Sequence, residues 1–512
     1  MQRSITYFTD RVTTFPNLIK GFAAGARLAA IRRIPAAVLT LLAATAFAQA
    51  PPDLVIINAN VRTMDKADPK AEAVAIFNGR IAAVGTTEDI KKLAGENTKT
   101  IDAQGKLLLP GFNDAHAHII ALGNKFSSID LSEAKTADDV IAKLRRFADF
   151  LPKGRWILGG KLDPAVDISL SQIDAATPEN PVFVYHSDPK SAIANSLSLA
   201  AARVEDKTGI VREAQLDSLR RVMSHDHIRD LHAIIETASN YAASLGVTSM
   251  QDMHSDDLTA VLRSLDREGR LKTRVYDCVS IVNWPKLAVI GAKAAQGDAM
   301  VRTGCVKGHY DEEDEATASL GKNIAGADSA GLQVMVHAIG AKADQVVLAE
   351  MEKAIKANGD RDRRFRIEHA TGLRPADLPR LARSKIIPSM QPALFFSEAS
   401  GSSDDYRRLL DSGIQIAFGA DAPMRGLDPL EGIHAAVNAG GKRGLTVEEA
   451  VYLYTMGAAY AEFQEKEKGS IEVGKLADVI MLSQDLFTVE SKSIRSVTVV
   501  MTILDGKVVY AN

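Results

Sequence analysis

Between residues 111 and 420, short apolar segments alternate with longer stretches of helical character, and that alternation leaves few architectures open. After a first segment ending at Gly111, the strand-like runs are 247–253, 274–281, 301–307, 332–337, 365–369, 386–391 and 415–420, which with the first makes eight. Strand and helix in alternation argue for parallel strands joined by crossovers. Eight such units are the number of a closed (β/α)8 TIM-like barrel, an α/β fold whose functional residues gather at the C-terminal ends of the strands. The barrel is expected over 110–467. The interval from about 125 to 230 is too long for one connection and reads as an insertion over the barrel mouth.

The two ends of the chain have a different texture. Short strands are predicted at 54–57, 73–76, 80–84, 100–102 and 106–109, with the hairpin dipeptide Asn78-Gly79 between the second and third. The same style returns at 479–482, 497–503 and 507–510, with Asp505-Gly506 as the last turn. Residues 51–109 and 468–512 are thus expected to complete one small β-sandwich.

The first fifty residues belong to neither pattern. Arg32 and Arg33 precede an apolar run, 36–48, that ends in Ala48-Gln49-Ala50, followed by Pro51-Pro52. This is the grammar of a signal peptide cleaved after Ala50, and it predicts export to a periplasm or the medium; the plainer alternative is an uncleaved amphipathic leader. The run is too short for a stable membrane anchor, so no membrane span is expected after leader removal. The arginine pair permits a twin-arginine route, and the long stretch before it allows a start codon further downstream. With 61 basic against 64 acidic residues and a formal charge of −3, nothing favours a nucleic-acid partner. The expected partner is a small-molecule substrate, and a homo-oligomer is left open. Cys278 and Cys305 fall in apolar strand-like runs, where buried free thiols are the commoner outcome, so no bridge between them is expected.

Chemistry enters at Leu109-Pro110-Gly111-Phe112-Asn113-Asp114-Ala115-His116-Ala117-His118. Residues i and i+2 of a strand share a face, so His116 and His118 can offer two imidazoles to one ion. Lys307, His337, His369 and Asp421 then stand at the ends of later strands. Taken singly they read as a snorkelling lysine, core histidines and a helix-capping aspartate. Barrel geometry points all of these ends at one space, and four neutral imidazoles with a carboxylate suit zinc or a similar divalent ion.

Four segments also carry a likeness to a known family: 108–118; Arg366-Ile367-Glu368-His369-Ala370; Phe418-Gly419-Ala420-Asp421-Ala422-Pro423; and Lys468-Gly469-Ser470-Ile471-Glu472-Val473-Gly474-Lys475-Leu476-Ala477-Asp478. In these the chain resembles the amidohydrolase superfamily, in the branch of YtcJ-like proteins and N-substituted formamide deformylases, from Asp53 to the C-terminus. The resemblance implies one or two divalent metals, with His116, His118 and Asp421 on the more buried one and His337 and His369 on the other. Lys307 would bridge them as a carbamate formed with CO2. It further implies hydrolysis of an amide or other C–N bond by metal-activated hydroxide, with Asp421 as the catalytic proton carrier. Ester cleavage or deamination on the same centre, and an exported binding or regulatory protein without turnover, are the alternatives.

The chain departs from the family beside two of these segments. Lys307 is followed by Gly308-His309-Tyr310-Asp311 and then the acidic run 312–315, where relatives carry an aromatic residue and Asp-Gly; Pro189-Lys190 precedes Asn195-Ser196 where a Gly-His pair is usual. His309, Asp311, Trp156 and Gln391 are the candidate substrate-binding residues. The run 311–315 is expected either as an acidic rim of the mouth or as a solvated loop.

Overall fold

Gly111 is where the chain changes partners. Just before it, Leu107–Pro110 pairs antiparallel with Val479–Leu482 and parallel with Asn60–Arg62; just after it, Phe112–Ala117 pairs parallel with Val247–Asp252. Gly111 N–H donates to the Asp478 carbonyl and Phe112 N–H to that of Gly246. A side chain at Gly111 would collide with Thr248, so the crossing needs glycine. The first barrel strand is therefore Phe112–Ala117 rather than a strand ending at Gly111, and the segment up to Pro110 belongs to the terminal sheet.

The computed structural model describes residues 50–512 apart from 127, 189, 213, 223–230, 254–256, 312–316, 399–400, 403–404 and 442. The expected leader and the acidic run 312–315 lie outside the described residues. Eight parallel strands follow one another in chain order: β1 Phe112–Ala117, β2 Val247–Asp252, β3 Arg274–Ser280, β4 Val301–Tyr310, β5 Gln333–Ala338, β6 Arg366–His369, β7 Ile387–Met390 and β8 Ala417–Phe418. The last is only two residues long, and closure against β1 runs through the segment beyond it. Asp421 N–H donates to the His116 carbonyl (2.7 Å), His118 N–H donates to that of Ala422 (3.0 Å), and Ala117 bridges Ala422 in parallel register. The Asp114 carboxylate joins the seam by accepting from the backbone N–H groups of His116 and Ala420 at 2.9 and 3.1 Å. The residues that close the barrel are thus neighbours of the residues expected to bind metal.

Two mixed sheets carry the chain ends. One holds Arg80–Gly85, Ala73–Phe77, Leu54–Ile57 and Lys99–Asp102; the other interleaves Lys507–Ala511, Val499–Leu504 and Val479–Leu482 with Leu107–Pro110, Asn60–Arg62 and Lys70–Ala71. They share an apolar core that includes Ile56, Val74, Ile76, Leu108, Val479 and Ile503. Both expected hairpins form, with Asn78 and Gly79 at φ 49° and 71° and Asp505 and Gly506 at φ 53° and 72°, as a tight turn between twisted strands requires. Lys468 and Asp478 fasten this layer to the barrel. The Lys468 ammonium meets the buried Glu462 carboxylate at 2.7 Å, and Asp478 takes a two-pronged ion pair from the fully buried Arg274 at 2.7 and 2.8 Å.

The segment between β1 and β2 builds its own five-stranded sheet, ordered Ile210–Arg212, Ser191–Ala194, Val182–His186, Ile157–Leu162 and Ile129–Asp130, with separate apolar clusters. Cys278 and Cys305 are joined by a disulfide, contrary to the expectation of free thiols. They stand opposite one another on β3 and β4, with Cα atoms 4.7 Å apart. Adjacent parallel strands bring the two thiols side by side, which a separation of 27 residues does not reveal by itself. Among the described residues, no helix is long and apolar enough to cross a membrane.

Candidate metal centre

At the C-terminal end of the barrel, a cavity of about 750 Å³ is lined by His116, His118, Lys307, His337, His369 and Asp421, with His309 among its further walls. Each arrives from a different place. His116 is on β1, His118 sits at the N-cap of the helix Ile119–Lys125, Lys307 is on β4, His337 on β5 and His369 ends β6, while Asp421 lies in the closing segment after β8. The Asp421 Oδ1 atom is 3.2 Å from His118 Nε2 and 3.5 Å from His116 Nε2. Lys307 Nζ lies 3.2 Å from His116 Nε2, and the His369 ring centroid is 5.0 Å from that of His116 and 4.4 Å from that of His337.

The donor set fits a divalent metal. Ligands at about 2.0–2.1 Å around a tetrahedral ion stand roughly 3.3–3.4 Å from one another, close to the two Asp421 separations. Ligand atoms of His116, His369 and Asp421 all lie within 4.8 Å of each other. Among the described residues, the buried His369 Nδ1 has no hydrogen-bond partner, an unsatisfied group of the kind a ligand or ion relieves. Protonation states agree with that role. Burial drives His116 well below the usual imidazole range, and burial followed by neighbouring cations takes His337 and His369 down to about 4, so all three are neutral at pH 7. Burial disfavours the Asp421 carboxylate, but the hydrogen bond from His118 and the adjacent imidazoles outweigh it and hold its pKa below the usual value. For Lys307, burial is the largest influence and lowers its pKa to about 8.

Glu368 went unassigned in the sequence reading. It is fully buried and takes His116 Nδ1 at 2.7 Å, which leaves Nε2 for the centre. Arg366, equally buried, contacts Glu368 at 2.8 Å and also donates to the Ala115 carbonyl and the Ser389 hydroxyl at 2.6 and 2.9 Å. Arg-Ile-Glu on a strand of a parallel barrel was the available signal: two charges of one parity must face the interior and need partners there. His369 has the opposite parity, and its left-handed backbone (φ 72°), followed by Ala370 at 52°, turns it towards the cavity. Asp421 is also left-handed, at φ 56°. Non-glycine residues held in this region cluster at functional sites.

Two candidate substrate-binding residues are elsewhere. Trp156 packs in the apolar cluster of the insertion with Phe183 and Leu216, and Gln391 is fully buried beyond β7, where its amide donates to the Ser389 carbonyl at 3.1 Å. Among the described residues, none from 125–230 lines the cavity. An aromatic residue at an inward position of an independent sheet looks the same in sequence whether it faces a ligand or a core.

The family model for the amidohydrolase family matches residues 99–510. The protein LONG AFTER FAR-RED 3 of Arabidopsis thaliana is 28% identical, with 90% of this chain and 91% of that protein covered. The N-substituted formamide deformylase of Arthrobacter pascens is 25% identical, covering 90% and 98%. Among solved structures, an uncharacterised metal-dependent hydrolase of Pyrococcus furiosus superposes with a TM-score of 0.60 at 26% identity, over 85% of this chain and all of that one. With four-fifths of its length inside the family model and the metal-ligating residue types gathered at one end of its barrel, the chain belongs to the amidohydrolase family.

Proposed function

We propose that this amidohydrolase hydrolyses an amide or other C–N bond of a small molecule at the cavity formed by His116, His118, Lys307, His337, His369 and Asp421. The observation that carries this reading is the meeting of four imidazoles, a lysine and a carboxylate on the wall of one roomy cavity, with ligand atoms of His116, His369 and Asp421 within 4.8 Å of one another. A divalent ion held there, zinc by the chemistry of its ligands, supplies carbonyl polarisation and activation of water near neutral pH. The chain's own residues do the rest. Asp421 accepts the proton of the attacking water and delivers it to the nitrogen as the C–N bond breaks. Glu368 keeps His116 in the tautomer that presents Nε2. Lys307, whose amine burial helps to keep neutral, is read as adding CO2 and losing a proton to become an anionic carbamate that balances the metal charge. The test is turnover by metal-loaded protein on N-acyl amino acids, formamides, dipeptides and aryl esters, abolished by a chelator and restored by zinc. Ester turnover alone would move the assignment to an esterase, and no turnover on any class would remove the hydrolytic reading. Intact-protein mass measurement in bicarbonate buffer should show one added CO2 that Lys307→Ala lacks.

We further propose that the chain is exported and begins, once mature, at or near Pro51. The 36–48 run with its Ala-x-Ala end supports this, and a buried disulfide suits an oxidising compartment. N-terminal sequencing of exported material tests it; an intact leader on soluble cytoplasmic protein would defeat it.

A further inference from the structure

His309 stands out on the cavity wall because it is a further imidazole beside His337, in the stretch after Lys307. It is mostly exposed, and it stacks on His337 with ring centroids 4.2 Å apart and planes 20° from parallel. Asp311 reaches both rings, with Oδ2 3.6 Å from His309 Nε2 and Oδ1 3.4 Å from His337 Nε2. These separations are long for charge-assisted hydrogen bonds, about 2.7–2.9 Å, and near the roughly 3.3–3.4 Å spacing of ligands around one tetrahedral ion. Ligand atoms of the three residues lie within 4.8 Å of one another. Two like rings stacked with both Nε2 atoms turned to one carboxylate gain little from each other, whereas a cation between the three would use all of them.

We infer that His309, Asp311 and His337 form an outer site for a divalent transition metal at the mouth of the cavity, separate from the inner set of His116, His118 and Asp421. Two imidazoles and one carboxylate favour zinc, cobalt or nickel over magnesium or calcium. Only His337 is shared with the ligands expected of the inner centre, and the site does not depend on the hydrolytic reading. His309 and Asp311 hold their side chains in solvent at the cavity edge, so ions there should exchange more readily than in the buried centre.

The experiment is metal stoichiometry by elemental analysis after equilibrium dialysis of the full chain against zinc, with cobalt absorption as a second reading. Wild type should bind one equivalent more than His309→Phe, which keeps the ring stack but removes the nitrogen, and one more than Asp311→Asn. In a His116→Ala/Asp421→Asn protein, one equivalent should persist and be lost when His309→Phe is added. Both outer substitutions fall on exposed side chains, so their loss of metal is read in folded protein, as circular dichroism will show. Equal stoichiometry in wild type and both single variants would overturn the inference. So would an inner-site variant that binds no metal.

Discussion

Glu368 governs His116 from the side of the ring that faces away from the cavity, so its substitution separates orientation from ligation. Glu368→Gln still offers an acceptor to Nδ1 but leaves the buried Arg366 guanidinium without its counter-charge. Loss of such a carboxylate behind a ligating histidine costs roughly 10–100-fold in metal affinity. Breaking a buried pair from one side costs about 3–5 kcal/mol of stability. Chelator competition and urea unfolding of the metal-free variant measure the two, and an unchanged affinity would remove Glu368 from the account. Asp421→Asn and Lys307→Ala should fail differently. The asparagine keeps the shape beside His116 and His118 but cannot take the proton, so kcat should fall by roughly 10²–10⁴-fold with most metal retained. Lys307→Ala should lose metal together with activity, and short added carboxylates should restore part of both. Elemental analysis beside kcat decides. Full metal and near-normal turnover in Lys307→Ala would leave a mononuclear site, and a fully active Asp421→Asn would refute the mechanism.

The helix Ile119–Lys125 carries the site outward from the residue to the element, because His118 is its N-cap. It is held at its start by Asp252, whose Oδ1 accepts from Ile119 N–H at 2.8 Å, and along its side by Gly123, where any Cβ would fall on the Ile234 carbonyl of the neighbouring helix Leu231–Ser244. Gly123→Ala should therefore cost about 1–3 kcal/mol in urea unfolding, because the obstacle is backbone and cannot turn aside. It should also weaken metal binding through displacement of His118. Gly85→Ala, where an added Cβ meets nothing, is the control and should leave both unchanged. Elements such as β5, with its run Val334-Met335-Val336, are legible in sequence because a strand buried on both faces favours an apolar run. For the closing strand only the place is legible, within 415–420: β8 has two residues, and the seam beyond it is made by backbone groups and the Asp114 carboxylate, which leave no periodicity. Asp114 shares parity with His116 and could have been suspected; the register that pairs Cys278 with Cys305 could not, since spacing alone fixes neither strand order nor offset. His369 was found through its place at a strand end, although strict alternation would turn it outward, because a left-handed backbone overrides the pleat.

Across the whole molecule, protons held or refused by the interior pull stability in opposite directions. Burial raises Asp114 and Asp277 to about 7 and Asp252 well above the usual carboxylate range, while it lowers His337 and His369 to about 4 and holds His116 well below the usual imidazole range. Unfolded chains titrate near 3.9 for aspartate and about 6.5 for histidine. Between those values the folded protein keeps protons on the three aspartates that the unfolded chain releases, so stability falls as pH rises. Over the same range the unfolded chain binds protons on the three histidines that the folded protein refuses, so stability rises with pH. The two sets offset. Above about 6.5 the histidines are neutral in both states and drop out, whereas the aspartates lose their protons through about 7 and beyond. Above about 8, Lys307 and Lys468, both lowered to about 8 by burial, begin to favour the folded state as pH rises further. Metal-free protein should thus show a urea midpoint that changes little from about pH 4.5 to 6.5 and declines from there to about 7.5. Asp277→Asn isolates one contributor: the amide oxygen can still accept from Leu258 N–H, as Oδ2 does at 3.0 Å, but carries no proton to lose. Its decline above pH 6.5 should be shallower than that of the parent. A parent midpoint that climbs between 6.5 and 7.5, or an Asp277→Asn curve parallel to it, would show that the buried aspartates are already ionised in the folded barrel.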